Sequence, residues 1–319
     1  MKAMAADGKG LEKVRCQDVP VPEVGAGDVR IRILTAALNP ADFKVWGGGA
    51  LAMVLHGQRA PVVTGYDLCG IVDAVGASVT GFKVGDRVAG FLAYGRSTKR
   101  GSFAEFAVAP ASTLSQVPAG VSDAVAAALP TGGCTALQGL RNVASVSAGA
   151  RVLVVGAAGG VGTAVIGVGK RLGVHVTAVV STPSIEFVRS LGADEVVDRK
   201  TTDPLSSQEK FDLIYDAAAA WTFGSCAHLL ADGGVYLTTL PSLSFAMGAL
   251  QALFSSKSCR FIAVSPSASD LAQLFDWVQG GLPIPVDSVV PIRDLPAALA
   301  RLKQGGVAGK VVVDVAGGW

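Results

Sequence analysis

The 319-residue sequence is poor in charge: Asp, Glu, Lys and Arg make up 16% of it, and the net charge is +2. So slight a basic balance points away from a nucleic-acid or acidic-surface partner. A hydrophobic share of 50% excludes a disordered chain. Cysteine is scattered: positions 16, 69, 134, 226 and 259 contain no Cys-x-x-Cys pair. These five read as reduced thiols of a cytosolic protein, most of them small buried hydrophobes. Histidine occurs three times. His56 stands alone in an apolar loop, and His175 and His228 fall in structural positions. No cationic leader with a cleavable apolar segment opens the chain. The longest apolar stretches, such as 243–254, fall short of the about 20 residues that a bilayer crossing requires. A soluble, cytoplasmic protein without a membrane partner is expected.

Glycine, by contrast, is abundant, with 40 residues. The stretch that organises the chain is Arg151-Val-Leu-Val-Val-Gly-Ala-Ala-Gly-Gly-Val-Gly162, a short apolar run that turns through glycines into a helical pattern. This predicts a buried parallel strand followed by a helix. Gly159 and Gly162 keep the spacing of the last two glycines of the dinucleotide fingerprint Gly-x-Gly-x-x-Gly, with Ala157 in place of the first. In that motif one glycine lets backbone approach a pyrophosphate and another lets helix pack on strand. Gly156, Ala158, Gly159, Gly160, Val161 and Gly162 are therefore candidate cofactor residues.

Upstream, short strands separated by glycine turns mark a β module, with Asp28-Val-Arg-Ile-Arg-Ile alternating as a half-exposed strand should. Near residue 120 the pattern changes to an Ala-rich helix at 122–129, broken by Pro130–Gly133, and a second helix at 135–143. Strand and helix then alternate, including a helix at 221–230 and a strand at 261–265, and a last apolar strand covers 310–315. The expected fold is α/β: a doubly wound parallel sheet over 120–281, and a mainly β, barrel-like domain built from 1–119 with 282–319.

The second strand of the parallel sheet ends at Val180-Ser181-Thr182 with no carboxylate at its tip. An acid there would bond the ribose 2′-hydroxyl of NAD. Ser181 and Thr182 leave room for a 2′-phosphate, and Arg199, with Lys200, lies where its charge can reach one. NADPH is the expected cofactor.

Seven motifs in order carry a family resemblance: Asn39-Pro-Ala-Asp-Phe-Lys44, Gly65-Tyr-Asp67, Val84-Gly-Asp-Arg-Val88, Gly101-Ser-Phe-Ala-Glu105, Gly156–Gly162, Leu191-Gly-Ala-Asp194 and Gly309-Lys310. Over essentially its whole length the chain resembles the medium-chain dehydrogenase/reductase superfamily. It is most similar to the zinc-free quinone oxidoreductase and enone (alkenal) reductase branch. The resemblance implies an NADPH-binding Rossmann domain, a GroES-like catalytic domain, a cleft between them, and homodimers joined edge to edge through the Rossmann sheets. Zinc-dependent relatives place a Cys near position 39 and Gly-His-Glu where this chain has Gly65-Tyr66-Asp67, so no metal is expected.

Without a metal, the expected chemistry is hydride transfer to an electron-poor carbon of an enone, enal or quinone, with charge developing on the carbonyl oxygen. Lys44 matches a substrate-pocket lysine of plant enone reductases and is the candidate donor to that oxygen. Tyr66 is the second candidate, as a phenol donor or as an aromatic wall of the cleft. Asn39, Asp42 and Trp46 are expected around the substrate: an amide fixing the loop, a carboxylate holding Lys44 or the ribose, and a pocket wall. Asp67 reads as structural. Thr135 matches a position beside the nicotinamide, and Leu240 and Lys310 are expected near the cofactor. Two alternatives stand beside this reading: a polyketide-type enoyl-thioester reductase and a non-catalytic NADPH-binding protein.

Overall fold

The structure is a computed structural model that describes residues 1–48, 60–95 and 100–319; His56 lies outside the described residues. The chain opens with an antiparallel pair, β1 (Lys2–Ala5) and β2 (Arg15–Asp18). β3 (Asp28–Ala37) is the expected alternating strand, with Val29, Ile31 and Ile33 buried. Helix α1 (Pro40–Trp46) follows, opened by reciprocal bonds between Asn39 and Asp42 that satisfy its first N–H groups. β4 (Asp67–Val75), β5 (Arg87–Phe91), β6 (Phe106–Pro110) and β7 (Leu114–Gln116) come next. Helix α2 (Asp123–Ala128) starts on Ser122, whose hydroxyl accepts from the Val125 N–H. Pro130 does not break helical structure as the sequence pattern implies; it begins α3 (Pro130–Gln138). A proline fits a first helical turn, where its missing N–H has no partner to lose.

Beyond α3 the alternation unfolds as β8 (Arg151–Val155), α4 (Gly160–Arg171), β9 (His175–Val180), α5 (Ile185–Ser190) and β10 (Glu195–Asp198). It continues as β11 (Phe211–Asp216), α6 (Phe223–Cys226), β12 (Leu230–Thr238), α7 (Leu243–Ala252) and β13 (Ser258–Phe261). The tail contains α8 (Ala268–Gln279), β14 (Val286–Pro291), α9 (Leu295–Gln304) and β15 (Lys310–Asp314). Two expected elements shift. The helix expected at 221–230 shortens to α6 because the Asp216 carboxylate pins the Ala220 and Trp221 N–H groups, at 3.1 and 2.7 Å, into a turn. The strand expected at 261–265 lies at β13, where polar Ser258 and Arg260 hide an edge strand from an apolar-run criterion.

The chain forms two compact units. One comprises 1–131, 265–279 and 285–319, and the other 132–264 and 280–284. In the first, a seven-stranded sheet runs β14-β15-β3-β4-β5-β7, with β6 also paired to β3. β15 and β4 flank β3 in antiparallel register, pairing Val312 with Ala37 on one side and Asp67 with Ala37 on the other. The end of β3 is thus bracketed by the starts of two strands, which gathers residues 39, 67 and 310. In the second unit six parallel strands run β10-β9-β8-β11-β12-β13. Strand order reverses beside β8, the position where ligands bind beyond the carboxyl ends of such sheets. β8 is filled with Val152, Leu153 and Val154, all buried.

Candidate active site

In the second unit the glycine loop joins β8 to α4. Gly156 adopts φ +74°, a conformation that glycine enters without steric cost. Gly159 opens α4 and no side chain caps it. The N–H groups of Gly160, Val161 and Gly162 are first-turn donors without helical partners, at the positive end of the helix dipole. A Cβ on Gly159 would meet only the Gly156 carbonyl, at 3.5 Å, so the space above it is open. A Cβ on Gly162 would lie 2.6 Å from the Ala157 Cα and closer still to the Gly156 carbonyl. Open space, orphan donors and a dipole end suit the pyrophosphate of a dinucleotide. The two glycines therefore separate in a test. Gly162→Ala destabilises the protein by about 1–3 kcal/mol, because backbone must shift. Gly159→Ala costs under about 1 kcal/mol but weakens dinucleotide binding. Thermal unfolding and NADPH titration check this, and equal loss of stability in both variants would refute the division of roles.

Ala158 lies within the same turn. Gly132 of α3 sits so near α4 that a Cβ there would be 2.9 Å from the Gly160 carbonyl. Thr135, one turn on, is buried, and its carbonyl accepts the Tyr215 hydroxyl at 2.8 Å. Leu240 is half-buried in the bend beyond β12. At the tips of β9 and β10, Ser181 and Thr182 have a neighbour that sequence reasoning missed. Asp198 pairs in register with Val180, and its carboxylate accepts the Thr182 hydroxyl at 2.6 Å. That bond is the first of several causes that hold the Asp198 pKa below the usual value. The acid absent from the tip of β9 is thus supplied by the adjacent strand. Arg199 beside it is exposed, its N–H bonded to the Val180 carbonyl at 2.9 Å.

In the first unit a buried polar cluster forms where β3, β4 and β15 meet. The Lys310 ammonium donates to Asn39 Oδ1 at 2.7 Å and to Asp67 Oδ2 at 2.8 Å. Asn39 Nδ2 donates to Asp67 Oδ2 at 2.9 Å, and the Thr131 N–H donates to Asp67 Oδ1 at 2.7 Å. Asp42 accepts from the Asn39 N–H at 2.7 Å and from the Gly65 N–H at 2.8 Å, tying α1 to the loop that carries Tyr66. Burial raises the Asp42 carboxyl to about 7, against the pull of those two N–H groups and of Lys310. Two carboxylates and one ammonium would leave a net negative charge in a dry site, so Asp42 holds its proton far above the usual range.

Several expectations change here. Lys310 is not a surface residue: it is buried, and its ammonium donates to Asp67 and Asn39. Asp42 holds backbone rather than Lys44. Trp46 belongs to the core, stacked on Phe103 with centroids 6.1 Å apart, its indole N–H donating to the Val62 carbonyl at 3.1 Å. Tyr66 has no solvent exposure and lies against Tyr94, with ring centroids 4.4 Å apart. Asn39 Nδ2 also donates to the Ala37 carbonyl at 3.4 Å. Lys44, on α1, is half-buried, burial lowers its pKa, and among the described residues it forms no ion pair. Among the described residues no group of three or more His, Cys, Asp or Glu side chains is placed to hold a metal ion. No helix of the described residues is long and apolar enough to cross a membrane.

Comparison with known proteins agrees with this architecture. Residues 25–119 match the family model of the alcohol dehydrogenase GroES-like domain, and residues 191–313 that of zinc-binding dehydrogenases. The chain is 32% identical to the chloroplast envelope quinone oxidoreductase homolog of Arabidopsis thaliana, over 96% of this chain and 94% of the relative. It is 30% identical to a trans-enoyl reductase of Aspergillus terreus, over 95% and 91%. The structure of a quinone oxidoreductase from Coxiella burnetii superposes with a TM-score of 0.91 at 28% identity, covering 99% of both chains. A mycobacterial protein solved in complex with NADPH superposes with a TM-score of 0.82 at 28% identity, over 98% of this chain and 99% of the other.

Proposed function

The chain belongs to the medium-chain dehydrogenase/reductase family, on its quinone oxidoreductase branch, and from that premise we propose an NADPH-dependent reductase of activated C=C bonds or quinones that works without a metal. The observation that carries the proposal is the occupancy of the buried cluster. Zinc-dependent relatives place a Cys near position 39 and Gly-His-Glu where this chain has Gly65-Tyr66-Asp67. Here an amide, a phenol and a carboxylate stand at those positions, and the carboxylate is already neutralised by the Lys310 ammonium. That donor set offers neither thiolate nor imidazole to zinc. An electrophile for the substrate carbonyl must then come from a side chain, and Lys44, which forms no ion pair among the described residues, is the cation of α1.

Bound NADPH supplies a hydride to the β-carbon of the enone, or to the quinone ring. The residues of the glycine loop would hold its pyrophosphate on the α4 N–H groups, and Thr135 and Leu240 would contact its nicotinamide end. Lys44 donates a hydrogen bond to the carbonyl oxygen and offsets the charge that develops there. Tyr66, fully buried against Tyr94, is out of reach of the substrate. Arg199 supports a 2′-phosphate, and so does the NADPH held by the mycobacterial relative. Asp198 is the observation that favours NADH, because its carboxylate occupies the Thr182 hydroxyl and would repel a phosphate.

We also propose a cytoplasmic homodimer. β13 is an edge of the parallel sheet, and α7 beside it exposes Leu243, Met247 and Leu250, followed by Leu253 and Phe254. A free strand edge bordered by an apolar face suits pairing with a second copy.

The deciding experiment is oxidation of NADPH and of NADH against alkyl enones, quinones and enoyl thioesters. Turnover of enones or quinones with NADPH is expected. Turnover of thioesters alone would select the enoyl-thioester reading. Tight NADPH binding without turnover of any substrate would select the non-catalytic one.

A further inference from the structure

Among the described residues two non-glycine positions adopt a left-handed backbone, and Ala219, at φ +50°, is one of them. Such a conformation is costly for a residue with a side chain and persists only where its surroundings impose it. Here the carboxylate of Asp216, the last residue of β11, imposes it from a fully buried position. Its Oδ1 accepts the Ala220 N–H and its Oδ2 accepts the Trp221 N–H, the two residues that follow Ala219. The hydroxyl of buried Tyr236 lies 2.9 Å from Asp216 Oδ2 and 2.7 Å from the Trp221 carbonyl, and locks the same turn. The turn, residues 217–221, stands beside the glycine loop. The Ala217 N–H donates to the carbonyl of Val155, the last residue of β8, at 3.1 Å. A Cβ on Gly156 would lie 2.8 Å from the Ala218 Cβ, and Ala218 itself is exposed. β8 and β11 are the two strands between which the strand order reverses. Ligands of such sheets bind outside the carboxyl ends of that pair, so the turn is the second lip of the dinucleotide crevice.

We infer that Asp216 and Tyr236 are positioning residues for the dinucleotide, which hold a strained turn in the shape that completes its crevice. This rests on the proposed dinucleotide site at the glycine loop. Both side chains are buried behind the turn and act through it, without touching a ligand. Without them Ala219 relaxes to a negative φ and carries Ala218 away from Gly156. The affinity of the crevice then falls, because the bound shape must be imposed anew at each binding event. An amide does not replace the carboxylate. Asn has one acceptor oxygen, and its NH2 group would face the second backbone N–H.

The test measures NADPH dissociation constants by fluorescence titration, at a temperature where every variant is folded, beside melting temperatures without ligand. Asp216→Asn weakens NADPH binding about tenfold, the scale of one lost hydrogen bond. Ala219→Gly alone keeps the dissociation constant within about twofold and raises the melting temperature by about 2 °C, because glycine enters the left-handed region freely. Added to Asp216→Asn, Ala219→Gly recovers at least about threefold of the lost affinity, since the turn no longer has to be forced. A purely structural carboxylate gives a different pattern: the melting temperature falls while the dissociation constant of the folded variant stays within about twofold. That pattern overturns the inference, and so does a double variant that binds no better than Asp216→Asn. If Asp216→Asn fails to fold, Tyr236→Phe takes its place, with a loss of about threefold that Ala219→Gly again reverses. An unchanged constant in Tyr236→Phe then overturns the inference. Failure of the unaltered protein to bind either NADPH or NADH would count against the proposed dinucleotide site instead.

Discussion

Replacing Lys310 with Met is expected to destabilise the protein by about 3–5 kcal/mol, the usual cost of stranding one partner of a buried ion pair. Asp67 is fully buried, and Lys310 is only 6% exposed. In Lys310→Met the Asp67 carboxylate keeps two donors, the Asn39 amide and the Thr131 N–H, but no counter-charge. Asp42 loses an opposite charge as well, which pushes its pKa above the present value of about 7. The pH dependence follows from the sign of that shift. A carboxyl that binds its proton more tightly folded than unfolded favours the folded state at low pH, and the advantage disappears as pH rises from about 4 through about 7. In the variant that window extends upward, so the deficit grows with pH. A second change separates charge from packing. Asp67→Asn added to Lys310→Met removes the uncompensated charge, and the Asn39 amide can turn to accept from the new side chain. The double variant recovers at least about 1 kcal/mol over the single one. Thermal unfolding between pH 5 and 8 reads all of this. A single variant within about 1 kcal/mol of the parent would show that the pair contributes nothing net.

The contrast between this cluster and the glycine loop shows what the sequence can reveal. Strand β8, the turn at Gly156 and helix α4 were legible because each signal is local: an apolar run, a positive φ and an uncapped helix end lie within a dozen residues. The Lys310 bonds link positions 271 and 243 residues apart. Nothing near Lys310 announces them, and only the antiparallel register of β15 and β4 on β3 brings the residues together. Asp198 was missed for a related reason. The chain carries no acid at the tip of β9, and the carboxylate arrives sideways, from the strand paired with it. Trp46 and Tyr66 show the reverse case. Their motif positions suggested a substrate wall, but a large ring beside an apolar core is buried there by default, and only the fold tells the two apart.

Lys44→Ala is expected to lower kcat/KM for enones about 100- to 1000-fold, the range for removing one oxyanion donor. NADPH affinity should remain within about twofold, since the glycine loop and α4 belong to another part of the chain. The effect depends on the charged form: an ammonium both donates and offsets charge, and a neutral amine does little of either. Burial lowers the Lys44 pKa from 10.5, and no described acid restores it. The active form is therefore lost on the alkaline side, at a pH below the ordinary lysine range. A plot of kcat/KM against pH shows a falling limb there in the parent and none in Lys44→Ala. Stability moves the other way. A lysine whose folded pKa is depressed sheds its proton more readily folded than unfolded, so it costs stability at neutral pH and less as pH rises. Removing it leaves the melting temperature unchanged or raises it, as expected of a group kept for function. Full turnover in Lys44→Ala, or an alkaline limb that survives the substitution, would show that the carbonyl is polarised by a different group.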